Sequence, residues 1–263
     1  MTQSLRSFSL MLEAMSELQP ELQAAQQTRP IPATPSLADS LSQLGPLPRE
    51  ALLLGMASDG LPVLLNLHAC QPGPLLVAAD PGGGKTALLK LIAGAAVLMH
   101  PPEQVQFGVI SNHPDEWGYL EGVSHSVGVF PTYHDGAEDL LSSLSGWAHT
   151  YRGSQQAILL LIDDLESMND LSFESQQTLH WLLLRGPARR VWPIITLNAE
   201  RISQVESWLE SFRTRIFGRI RGQGSAATLS GFSDAGLEGL QAGVQFTLRE
   251  GTDWLRFWIP QVD

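Results

Sequence analysis

The chain has 263 residues, 43% of them apolar, with 16 Lys+Arg against 27 Asp+Glu and a formal charge of −11. That length and apolar content suffice for one large α/β domain or two small ones and exclude a wholly disordered chain, while the acidic total excludes coating nucleic acid by net charge alone. A single cysteine, Cys70, excludes an intrachain disulfide framework and paired-cysteine zinc sites, and fits a reducing compartment.

Residues 1 to about 28 read as helical, because Leu5, Phe8, Leu12, Met15 and Leu18 recur three or four apart, with Pro20 kinking or ending the first stretch. TRPIPATPS, residues 28–36, reads as a stiff extended linker. Residues 1–45 are therefore expected to form an N-terminal extension that packs on its own domain or docks on a protein partner, and residues 46–263 the main domain. Two apolar runs around Ser58-Asp59-Gly60-Leu61-Pro62 predict a hairpin at its start. Strands are then predicted at Pro74–Ala79, Val105–Ser111, Val127–Phe130, Ala157–Ile162 and Val191–Leu197. They alternate with helices at Lys85–Met99, Ala137–Tyr151, Ser172–Leu184 and Gln204–Ser211. Such alternation predicts a mostly parallel sheet with helices on both faces. Val244–Leu248 and Trp254–Ile259 predict a closing antiparallel hairpin.

The longest apolar runs, such as Ala157–Ile162, fall far short of the roughly 20 residues a membrane span needs. Glu13 interrupts the apolar start and no small-residue cleavage site follows, so no secretory signal is read there. The expectation is a cytoplasmic protein with no direct membrane insertion. The seven histidines are scattered, without a metal-binding spacing, and read as surface or capping residues.

The strongest motif is the run Asp80-Pro81-Gly82-Gly83-Gly84-Lys85-Thr86, between an apolar strand and a helix that continues with Ala87. Glycines let successive backbone N–H groups turn onto phosphate oxygens, and the helix N-terminus faces the same anion. Lys85 suits the β and γ phosphates of a nucleotide and the Thr86 hydroxyl suits Mg²⁺. Ala79 stands where the full pattern has its first glycine, and Asp80 puts a carboxylate in a loop built for anions.

AILLLIDDLESM supplies an acidic strand tip. Asp163 is placed to hold Mg²⁺ together with Thr86, and Asp164 to polarise the attacking water, with Glu166 a weaker alternative. Asn198, at the tip of the next strand, is placed either to sense the γ-phosphate or as an ordinary turn residue. No guanine-reading Asn-Lys-x-Asp motif is present, which favours ATP.

Eight of the fourteen arginines fall within residues 185–221 against Glu200, Glu206 and Glu210, so that window carries 8 − 3 = +5. FRTRIFGRIRG reads as a strand with arginines along one face. They suit a neighbouring subunit's ATP, with Arg190 and Arg215 the candidates for a trans-acting finger, or a nucleic-acid backbone, or ordinary surface ion pairs.

From about residue 52 to 260 the chain resembles the FtsK/SpoIIIE–HerA family of P-loop motors. The resemblance runs through GPLLVAADPGGGKTALLKLI, the segment PPEQVQFGVISNHPDEWGYLEGVSHSVGVF, the acidic strand, PIITLNAER, FRTRIFGRI and GLEGLQAGVQFTL. It extends to the related type VII secretion ATPases of the EccC/EssC type. It implies a RecA-like P-loop fold, Mg²⁺-dependent ATP hydrolysis at the interfaces of a homo-hexameric ring, and duplex DNA as cargo. In the secretion branch it implies a protein cargo. The sequence departs from the pattern at Ala79, Asn112-His113, Asp164 and Asn198, and Asp80, Ala79 and Asp164 also admit a nucleotide-binding scaffold with little hydrolysis.

Overall fold

A computed structural model describes residues 35–263 except 69, 71, 72, 121, 152, 154, 251, 252 and 263. The helix expected over residues 1–28, and the expected linker 28–36 as far as residue 34, lie outside the described residues. The compact unit runs Ser36–Asp263.

Its frame is one ten-stranded sheet, in the order β2-β1-β10-β9-β8-β3-β7-β6-β4-β5. The strands are β1 (Ala51–Ala57), β2 (Pro62–Asn66), β3 (Leu75–Ala79), β4 (Val105–Ser111), β5 (Ser126–Pro131), β6 (Ala157–Asp163), β7 (Val191–Asn198), β8 (Thr214–Phe217), β9 (Gln245–Glu250) and β10 (Asp253–Trp258). From β8 to β5 all neighbours are parallel, and from β8 outward to β2 all are antiparallel. The helices are α1 (Leu37–Gln43), α2 (Lys85–Met99), α3 (Asp135–Thr150), α4 (Phe173–Arg185), α5 (Glu206–Leu209) and α6 (Gln223–Ser230). This is the RecA-like P-loop arrangement: a mostly parallel sheet, helices on both faces and a C-terminal antiparallel hairpin.

The apolar runs form central strands because both of their faces are covered. In β6, Ile158, Leu160 and Ile162 enter one core with α3 and α4, while Ala157, Leu159 and Leu161 enter the other with α2. Leu37 of α1, 2% exposed, joins the α2 side, and its N–H donates to Gln261 O at 2.8 Å. That first turn of helix therefore belongs to the compact unit, on the N-terminal side of the start expected at residue 46.

Several elements differ from expectation. The helix expected over Gln204–Ser211 is a 3-10 turn, Ala199–Gln204, followed by the one-turn α5. The arginine-faced strand shrinks to β8, with only Arg215 inside it. Neither α1 nor α6 was expected, since LADSLSQ and QGSAATLS carry weak apolar periodicity. Among the histidines, His134 caps α3, as anticipated for the group. His100 and His125 instead are buried, with His125 Nε2 on His100 O and His100 Nε2 on Ala51 O.

Candidate functional site

The parallel strands carry their C-terminal tips to one edge, and the sequence motifs meet there. Ala79 at the end of β3 lies opposite Asn198 of β7, and Ser111 of β4 opposite Asp163 of β6. The loop Asp80–Gly84 leaves β3 and turns into α2. Its turn needs glycine at two points: Gly82 has φ +70° and Gly84 φ +90°. A Cβ on Gly84 would also lie 2.6 Å from Gly243 O, the backbone that precedes β9. The first intrahelical bond runs from Leu88 N–H to Gly84 O, so the N–H groups of Lys85, Thr86 and Ala87 have no acceptor within α2. This is the geometry of an anion cradle.

Ala79 fits because its neighbours are small. Cβ atoms built on Gly83 and Gly218 would fall 2.6 Å and 2.9 Å from the Ala79 Cβ, so the methyl occupies space that these two glycines leave. Lys85 Nζ donates to Ala79 O and Asp80 O, both at 3.2 Å. Burial pulls the Lys85 ammonium below its ordinary value, and the nearby carboxylates of Asp164, Asp163, Glu166 and Asp80 act against that.

Asp163 is the centre of a short chain of hydrogen bonds. Thr86 Oγ1 donates to its Oδ2 and Thr196 Oγ1 to its Oδ1, both at 2.8 Å. The Asp164 N–H donates to Thr196 Oγ1 at 2.7 Å. Burial pushes the Asp163 carboxyl above the usual carboxylate range, against the two threonine donors that favour its charged form. A divalent cation fits this pair: a desolvated carboxylate and a hydroxyl in contact are hard oxygen donors that gain from a positive charge.

Asp164 is half-buried, with φ +80°, uncommon for a residue with a side chain. Glu166 is the more buried acid: one oxygen meets Arg201 at 3.4 Å, the other has no hydrogen-bond partner, and burial raises its carboxyl. Asn198 stands at the β7 tip, where its side-chain oxygen accepts the Glu200 N–H at 3.1 Å and caps the following turn.

Asp80 does not face the cradle. It is 5% exposed, and its Oδ2 accepts the Arg221 N–H at 2.8 Å with the Arg221 Nε at 3.6 Å.

Both finger candidates are corrected. Arg190 precedes β7 and so lies at the opposite end of the sheet from the loop. It is 8% exposed, held by Glu50 and Leu67 O and by a short bond to Gln155 O. Arg215 spends its guanidinium on the carbonyls of Phe212, Leu229 and Leu209. The arginine window does not form one strip either. Arg185, Arg189, Arg190 and Arg213 precede their strands, while Arg201, Arg219 and Arg221 follow theirs. The sequence reading missed Thr196, which looks like any β-branched strand residue, and the glycine packing of Gly218 and Gly243 against the loop.

The strand–loop–helix unit beside a buried acidic strand tip defines a P-loop ATPase fold. No protein family and no curated protein matches the sequence. Solved structures do match. Thermomonospora curvata EccC, ATPases 2 and 3 in complex with a signal sequence peptide, is similar with TM-score 0.65 and 16% identity over 89% of this chain and 44% of that one. Geobacillus thermodenitrificans EssC, ATPases 2 and 3, gives 0.65 and 12% over 84% and 48%. The pCW3 conjugation coupling protein TcpA, in its monomer form with ATPγS, gives 0.64 and 15% over 83% and 68%. The chain spans under half the length of these two EccC and EssC chains. Its fold is the P-loop ATPase fold seen in these EccC and EssC ATPases.

Proposed function

We propose that the chain is an ATP-binding and ATP-hydrolysing motor domain that works in a homo-oligomeric, hexameric ring. The observation that carries this reading is the contact of Thr86 with Asp163 beside the glycine cradle. The N–H groups of Gly82 and Gly84–Ala87 and the Lys85 ammonium would hold the phosphates. Thr86 and Asp163 would hold Mg²⁺, which neutralises charge on the β and γ phosphates when bound. Asp164 orients the attacking water and takes its proton, and Asn198 reads the γ-phosphate. Candidates for a trans-acting arginine are exposed ones away from the chain's own loop, Arg185, Arg189, Arg213 and Arg249 among them. ATP hydrolysis that requires Mg²⁺ and is lost in Asp164→Asn with binding kept supports this reading; no hydrolysis in any assembly state sinks it.

For the cargo, dispersal of the arginines to two ends of the sheet weakens the duplex DNA reading, which then rests on the family resemblance alone. A protein cargo is the reading carried forward, supported by the likeness to EccC, which is seen with a signal sequence peptide. Duplex DNA binding that weakens steeply with salt would restore the DNA reading.

A further inference from the structure

An acid inside a phosphate-binding loop should repel its ligand, yet Asp80 is buried there. Its surroundings explain why. Past the end of β8 the ladder with β3 continues: Gly218 N–H donates to Ala78 O and Asp80 N–H to Arg219 O, each at 3.0 Å. The next donor along this edge is the Arg221 N–H. The main-chain acceptor beside it, Asp80 O, is already taken by Gly83 N–H at 2.9 Å and Lys85 Nζ at 3.2 Å. The Asp80 carboxylate supplies the missing acceptor, at 2.8 Å, and adds a contact with the Arg221 guanidinium.

We propose that Asp80 is a positioning residue: its carboxylate extends the β3–β8 ladder by one rung and so fixes the phosphate loop in its binding shape. The proposal rests on the loop being the nucleotide site. Two features make the loop need such a fastening. Gly82 and Gly84 sit at positive φ and bring no side chain that could hold the loop in that shape. The partner segment 218–222 then turns into α6 from Gly222, which offers no side-chain cap. A side-chain acceptor at residue 80 ties the loop to the segment that continues the ladder. Because the negative charge is spent on Arg221, preorganisation outweighs repulsion.

The test compares wild type, Asp80→Ala and Asp80→Asn for binding of a fluorescent ATP analogue with Mg²⁺. Asn keeps an acceptor oxygen and loses the charge; Ala loses both. Affinity is expected to fall about tenfold in Asp80→Ala and to stay within about threefold of wild type in Asp80→Asn. If both variants bind more tightly, or both bind as wild type does, the proposal is overturned, the first result being that of a merely repelling acid. A second readout needs no nucleotide. Amide hydrogen exchange over residues 80–86 and 218–222 should quicken in both segments in Asp80→Ala and not in Asp80→Asn; unchanged exchange in Asp80→Ala overturns the proposal. Should wild type bind no nucleotide, the function reading fails while the exchange result still judges the tether. If the alanine variant does not fold, Asp80→Ser, whose shorter hydroxyl falls short of the Arg221 N–H, takes its place.

Discussion

Thr86 and Asp163, 77 residues apart in the chain, are joined by a 2.8 Å hydrogen bond that closes the phosphate loop onto the acidic strand tip. Thr196 holds the other oxygen of the same carboxylate and also receives the Asp164 N–H. One threonine of β7 thus sets the positions of both acids of β6.

Removing the Asp163 charge should separate stability from cation binding. The folded protein raises this carboxyl above its unfolded value of about 4. Stability linked to the neutral form is therefore present at low pH and lost as pH rises through the raised value. Asp163→Asn does not titrate, so without ligand its melting temperature should gain on wild type as pH rises across that window. In wild type, stabilisation by Mg²⁺–nucleotide should grow over the same window, and it should be absent in the variant. A melting difference that is flat with pH contradicts this.

Glycine–alanine exchanges at the end of β3 and at the end of the loop should differ in their effect on binding. Gly84→Ala places a side chain at φ +90° and 2.6 Å from Gly243 O. It should cost about 1–3 kcal/mol from strain and abolish nucleotide binding. Ala79→Gly should cost about 0.5–1 kcal/mol through backbone entropy and leave affinity within about twofold. Thermal melting and analogue binding measure both.

Arg190→Ala should lower stability by about 3 kcal/mol, because it removes a buried cation that bonds two carbonyls and leaves Glu50 with His68 as its remaining ionic partner. ATP affinity and turnover per folded molecule should not change. A turnover defect at full stability would return Arg190 to the active site.

The outline of the fold was legible because β3, β6 and β7 are buried on both faces and must be nearly continuous apolar runs, and because the glycine loop must follow one of them. The two ends of a strand were legible as well, though charge counting overlooks them. Arg190 and Asn198 bracket the eight-residue β7 and so stand about 25 Å apart. Illegible features were those set by contacts distant in sequence. Asp80 reads as a misplaced acid until Arg221 is seen beside it. Thr196 reads as a strand former until both acids are seen to bond it. Glu166, ranked behind Asp164 for its spacing, turns out to be buried where Asp164 is only half-buried.

Asp164→Asn should lower turnover by about a hundredfold or more and leave ATP binding intact, as expected for a group that orients and deprotonates water. Single-turnover phosphate release beside analogue binding checks it. Turnover retained in this variant but lost in Glu166→Gln would move the role to Glu166.

The most direct measurement is Mg²⁺-dependent phosphate release from ATP by wild type and Lys85→Ala, with binding of an ATP analogue measured alongside. Measurable release by wild type, falling to background in Lys85→Ala with binding weakened, is the predicted result. Equal release by the two proteins would contradict the assignment of the glycine loop as the site of ATP hydrolysis.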